Sequence, residues 1–161
     1  MKRSEFSEVY RYINNPQKCV VAITQDAEGK YNMITLEWFM KTSIDPPMYA
    51  ISIGHTRYSH ACLQKNRYFN LVFLAQEQRD TAILAGSKSG RELDKFAVSG
   101  EDIFPGSLAK YPLLKAAVAN FECKVVTQVK SGDHTIFVGE VKHSWLDKSK
   151  EVLLVSDLRK K

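Results

Sequence analysis

The sequence predicts a mainly β protein, a mostly antiparallel barrel of Greek-key type with a few short helices on its rim, on three observations. Short apolar, β-branched runs follow one another along most of the chain. Turns rich in Gly, Pro, Asp or Ser separate them. Regular helical crossovers between the runs are missing, which argues against a doubly wound α/β fold.

The elements follow in order. Phe6, Val9, Tyr10 and Ile13 share one helical face. They predict a helix capped by Ser4 and ended by Asn14, Asn15 and Pro16. Cys19 to Thr24 is a β-branched strand, and Asp26 to Lys30 is a turn. Tyr31 to Phe39 then resumes an extended pattern and completes a hairpin. Pro46-Pro47 breaks the chain before a buried strand from Met48 to Gly54. His55 to Asn66 predicts a short helix with Tyr58, Cys62 and Leu63 facing inward. Tyr68 to Ala75 is a strand, Arg79 to Gly86 a short helix, and Ser87 to Phe96 a polar loop. Two long strands, Ala117 to Lys130 and His134 to Trp145, flank the turn Ser131-Gly132-Asp133. Val152 to Val155 reads as a final strand, for six or seven strands in all.

A length of 161 residues fits one domain, 1–161. Composition is that of a soluble protein, 44% hydrophobic and 25% charged. No tract reads as a bilayer span. The N-terminus, Met1 to Tyr10, has basic residues but no apolar core behind them, so a cytoplasmic location is expected. Cys19, Cys62 and Cys123 lack the spacing of a disulfide framework or zinc site, and buried thiols are expected. The net charge of +5 suits an anionic ligand. No basic stripe with interleaved aromatics calls for nucleic acid.

Common enzymatic fingerprints, such as a Gly-rich phosphate loop or a His pair at i, i+4, are absent. Polar residues do stand where strands end. Asn32 and Thr35 interrupt an apolar strand, and Trp38 and Phe39 follow. Apolar walls with a few amide and hydroxyl partners suit a flat aromatic ligand. The same residues serve equally as a strand former and a core tryptophan. Thr56, Arg57, Ser59 and His60 open the predicted helix, where hydroxyls, a guanidinium and free N–H groups suit an anion. Simple capping by Thr56 or Ser59 fits as well. Lys95 reads alone as a surface lysine, and His134 sits at the mouth of a hairpin, placed to position a reactant or to titrate.

Taken in order, these segments resemble the flavin reductase-like domains with an FMN-binding split barrel, the group that includes flavoredoxin. The resemblance runs from about Cys19 to Val141. It rests on NMITLEWF (from Asn32), TSIDPP, MYAISIG, TRYSHACLQKNRYFNLVFL, SGRELDKF, FECKV and GDHTIFVGEV. It implies a homodimer with FMN near the interface. It places Asn32, Met33, Ile34 and Thr35 along the flavin ring, with Ser52 and Gly54 approaching it; Trp38 stands where many members have a small or polar residue, and a tryptophan there would narrow the pocket. Thr56, Arg57, Ser59 and His60 would handle the phosphate, and Asn70 and Lys95 would lie near the cofactor. His134 would sit beside the nicotinamide face. The implied activity is hydride transfer from NADH or NADPH to flavin, then electrons to a small-molecule or protein acceptor. A flavoredoxin-like electron carrier without its own nicotinamide site is the alternative.

Overall fold

The structure, a computed structural model, describes residues 16–159. The helix predicted around Phe6 to Ile13 lies outside the described residues.

Nine strands are present among the described residues. They are β1 (Val20–Gln25), β2 (Tyr31–Leu36), β3 (Phe39–Ser43), β4 (Met48–Gly54), β5 (Tyr68–Phe73), β6 (Ile103–Pro105), β7 (Pro112–Leu114), β8 (Ala119–Ser131) and β9 (His134–Leu146). Seven form one antiparallel sheet in the order β2-β1-β5-β8-β9-β4-β3, and β6 and β7 pair separately. The fold is therefore mainly β, with the antiparallel arrangement of a split barrel. Three α-helices accompany it among the described residues: α1 (Tyr58–Lys65), α2 (Arg79–Ser87) and α3 (Lys95–Ser99). None is long and apolar enough to cross a membrane.

Strand alternation explains the core. In β1 the side chains of Val20 and Ala22 point into the barrel, where they join Leu36, Ile51, Ile53, Phe69, Leu71 and Phe137. Val21 and Ile23 point outward and are buried with Met33, Val72 and Leu74 beneath Ala82 and Ala85 of α2. A strand covered on both faces reads as the unbroken apolar run seen in the sequence. Leu63 of α1 joins the interior cluster. Burying each such side chain contributes about 1.5–3 kcal/mol.

The predicted strand from Tyr31 to Phe39 is in fact two strands. It breaks at Glu37 and Trp38, between β2 and β3. The short pair β6–β7 was not foreseen, because three-residue strands carry no periodicity. The predicted strand from Val152 to Val155 is reduced to single bridges at Val152 and Leu154, followed by a 3-10 turn at Val155–Arg159. Helix α2 runs through Gly86 to Ser87 rather than stopping at the glycine. Cys19, Cys62 and Cys123 are free and buried, and burial pushes the Cys19 thiol up to about 12 with help from Glu37.

Gly139 of β9 faces the interior where no side chain fits. A Cβ there would lie 2.6 Å from a ring carbon of Phe69 and 2.9 Å from Cβ of Cys123. Gly139→Ala should therefore destabilise the fold by about 1–3 kcal/mol through overpacking. Urea denaturation checks this: the midpoint should fall with an unchanged slope, and an unmoved midpoint would show that Phe69 yields freely.

Candidate functional site

The two end strands of the sheet, β2 and β3, are consecutive in the chain. Strand β3 pairs with β4, whereas β2 pairs with β1 on its other side. At the joint the Ser52 N–H donates to the Trp38 carbonyl at 3.0 Å. Beyond that bond β2 and β4 share no ladder among the described residues. They diverge, and a cleft of about 990 Å³ opens between them.

The open edge of β2 supplies backbone groups. Nζ of Lys95 donates to the Met33 carbonyl at 2.7 Å, so that carbonyl faces away from β1. Strand alternation turns the Thr35 N–H and carbonyl to the same edge. The Thr35 hydroxyl donates to the Ala82 carbonyl of α2 at 2.5 Å. Asn32 is buried and its Nδ2 donates to the Ser59 hydroxyl at 2.7 Å, yet its Oδ1 has no partner. Gly90 lies against that oxygen so closely that a Cβ would sit 2.1 Å away.

The cationic side of the cleft starts at α1. Arg57 occupies the N-cap position, and no side chain caps the helix. The His60 N–H makes the first intrahelical bond, to the Arg57 carbonyl at 3.0 Å, so the Tyr58 and Ser59 N–H groups ahead of it have no intrahelical acceptor. Capping by Thr56 or Ser59 is thus not what these residues do. Thr56, Arg57, Tyr58 and Ser59 all line the cleft. The Arg91 guanidinium lies 5.1 Å from the Tyr58 ring centroid and donates to the Thr56 carbonyl at 3.4 Å. The Tyr58 hydroxyl is held at 2.5 Å by Asp26, which pushes its pKa up to about 12.

Lys95 is only 3% exposed, so its reading as a surface lysine is corrected. It opens α3, whose N-cap Asp94 accepts from the Phe96 and Ala97 N–H groups. Its Nζ bonds the carbonyls of Met33 and Ala85, both at 2.7 Å, tying β2 to the end of α2. Burial, then the charge of Arg57, lowers its pKa from 10.5 to about 8.

His134 opens β9 directly opposite Gly54 of β4. The missing Cβ of Gly54 leaves room for the ring, whose Nε2 would be 3.4 Å from such an atom. Asp133 holds Nδ1 at 2.6 Å, which leaves Nε2 as the nitrogen available to a ligand. Trp38 lies beside His134, with ring centroids 4.6 Å apart. At 47% exposure Trp38 stands at the cleft mouth and not in the core.

The cleft thus gathers Asn32, Ile34, Thr35, Trp38, Ser52, Gly54, Thr56, Arg57, Ser59, Lys95 and His134. It does not gather Met33, His60 or Asn70. The Met33 side chain alternates to the outer core under α2, and only its carbonyl faces the edge. His60 turns away to bond Thr135 at 2.9 Å and to pack on His55 and Phe137. Asn70 is buried on β5, where its amide holds the Pro112 carbonyl at 2.9 Å. Residues not foreseen include Glu37, Tyr58, the end of α2 from Ala85 to Ser87 and the loop from Lys88 to Glu92. Ser, Gly and basic residues in that loop were its only sequence signal.

An antiparallel barrel left open along one seam, with backbone donors on one bank and cations on the other, defines a split-barrel binding protein. The chain belongs to the flavin reductase like domain family, whose model matches residues 12–160. It is similar to the FMN-binding protein of Thermus thermophilus solved with bound p-hydroxybenzaldehyde. That likeness has 30% identity and a TM-score of 0.77, covering 92% of this chain and 79% of the other. It is similar to the flavoredoxin of Desulfovibrio vulgaris at 26% identity and a TM-score of 0.80, over 92% and 78% of the chains. An NADH:FAD oxidoreductase from Streptomyces globisporus matches at 25% identity and a TM-score of 0.84, over 99% and 94%. The chain spans about half to two-thirds of the length of the first curated relatives it matches.

The depressed pKa of Lys95 makes a signed prediction. Above 10.5 the amine is neutral in both states, and below 8 it is charged in both. The fold carries the cost of burying the charge only in the acidic range, so this residue's contribution to stability rises as pH climbs from 8 toward 10.5. Denaturation of wild type and Lys95→Met across that range checks it. The difference should move in favour of wild type as pH rises, and a flat difference would contradict the shift.

Proposed function

We propose that this protein is a flavin-dependent oxidoreductase that holds FMN in the cleft between β2 and β4. The single observation that carries the reading is the unpaired edge of β2 facing a cationic bank across a cleft of about 990 Å³. That volume lies at the upper end of the range of roughly 300–1,000 Å³ for ligand pockets. The residues fit the cofactor's chemistry. The Thr35 N–H and carbonyl suit the polar edge of a flat heteroaromatic ring, and the buried, unpartnered Oδ1 of Asn32 awaits a donor. Thr56, Arg57, Ser59 and Lys95 suit the phosphate. FMN, when bound, supplies the hydride- and electron-carrying chemistry.

The chain's own residues then bind, orient and shield. Trp38 screens the mouth from water. The Nε2 of His134, held by the Asp133 bond, orients a nicotinamide donor, NADH or NADPH. Likeness to the FMN-binding protein and to the NADH:FAD oxidoreductase supports this. The apolar side chains of Met40 and Ile44, exposed on and just past β3, support a homodimer that covers the cofactor. One observation favours a second reading, a flavoredoxin-like electron carrier serving a protein partner. Trp38 already packs against His134 where a nicotinamide would stack, and flavoredoxin is among the similar structures.

Stopped-flow mixing of the FMN-loaded protein with NADH or NADPH separates the two readings. Rapid bleaching of the flavin bands is the expected result, and none with either nucleotide would favour the electron carrier. His134→Ala should slow bleaching by about tenfold or more, as expected for lost positioning, with FMN still bound. Unchanged kinetics would remove His134 from that role.

A further inference from the structure

The cleft holds two separate groups of cations, set against two carboxylates, Glu37 and Glu92. Arg57, Lys88, Arg91 and Lys95 all line it. A phosphate monoester carries about −1.5 to −2 at neutral pH, which two of these cations balance. Arg57 and Lys95 are close enough for their charges to oppose each other, so they form one locus, with Lys95 buried at its base. Lys88 and Arg91 stand exposed on the loop between α2 and α3. The cleft carboxylates Glu37 and Glu92 form no ion pair with them, and among the described residues no ion pair joins Lys88 or Arg91 to any acid.

Arg91 is also held in place. One face of its guanidinium lies over Tyr58, and Nη1 is fixed on the Thr56 carbonyl. Its remaining N–H groups are left for a ligand. A guanidinium in this state stacks on a flat base and grips a phosphate with its fork. Gly90, pressed onto Asn32 and Tyr58, pins the loop to the cleft wall and sets Lys88 and Arg91 at the rim. The hydroxyls of Ser87 and Ser89 line the same stretch.

We propose that Lys88 and Arg91 form a second phosphate subsite, which takes the additional 2′-phosphate of the reductant and so selects NADPH over NADH. This rests on the flavin reading above, which assigns the deeper pair, Arg57 and Lys95, to FMN. An arginine at the adenosine end of a dinucleotide is a general means of accepting that phosphate. The rim position suits it, because the adenosine end of the reductant is the part farthest from the reacting ring.

The test uses two probes without redox chemistry, adenosine 2′,5′-bisphosphate and AMP, titrated calorimetrically into the FMN-loaded protein. Wild type should bind the bisphosphate at least about tenfold tighter than AMP, the scale of charge-assisted hydrogen bonds. Arg91→Gln and Lys88→Gln should each remove most of that preference. The FMN dissociation constant of Lys88→Gln should move by less than about twofold, as for sites without shared partners. Equal binding of both probes by wild type would overturn the proposal. So would an Arg91→Gln variant that loses FMN as severely as the bisphosphate. FAD binding tighter than FMN, with the advantage lost in Arg91→Gln, would also overturn it, by assigning the loop to a flavin diphosphate. A protein that takes up no FMN would refute the flavin reading alone. Titrating both probes into the flavin-free protein would still decide the subsite.

Discussion

The sheet has two ends, and both belong to one segment of chain, Tyr31 to Ser43. Because β2 runs into β3 across only Glu37 and Trp38, closing the barrel needs no extra strand. The hydrogen bond from Ser52 N–H to the Trp38 carbonyl fixes where closure stops. On one side of that bond β3 and β4 pair normally. On the other side β2 and β4 diverge, and an edge of unpaired backbone faces a cleft. A bare edge of this kind ordinarily invites pairing with another chain. Here α1, α2, α3 and the loop from Lys88 to Glu92 pack around it and line the cleft.

The charged groups follow from that geometry. Lys95 is buried because it bridges the exposed β2 edge to the end of α2, and its two carbonyl partners hold three elements around the cleft wall. Its lowered pKa is the cost of that position with Arg57 nearby. An anion placed among them relieves the repulsion, so binding and local stability are coupled. At the opposite end Gly54 and His134 face each other because β4 and β9 pair in a register that sets a residue without a side chain under an imidazole.

Much of the fold was legible in the sequence for a simple reason. Strands such as β1 and β5 are buried enough to be largely apolar, and the Ser131-Gly132-Asp133 turn carries its own signal. The bend at Glu37 and Trp38 was not legible, since an apolar residue on each side continues the extended pattern. Among site residues, Asn32, Thr35, Arg57 and Ser59 stood out as polar groups in or beside apolar segments. Met33 presents only its carbonyl to the edge, because period-two alternation sets its side chain on the face opposite Asn32. Lys95 could not be recognised as buried, because burial of a lysine depends on carbonyls from distant segments. The loop from Lys88 to Glu92 was equally opaque: Ser, Gly and Lys have no period, and tertiary packing of Gly90 on Asn32 brings them to the cleft.

All of this converges on one claim, that the seam between β2 and β4 holds a flavin. The visible absorption spectrum of the purified protein, before and after adding FMN, tests it most directly. The account predicts flavin bands that are perturbed relative to free FMN, with FMN released on denaturation and binding weakened by Lys95→Met. A colourless protein that leaves the spectrum of added FMN unchanged would contradict it.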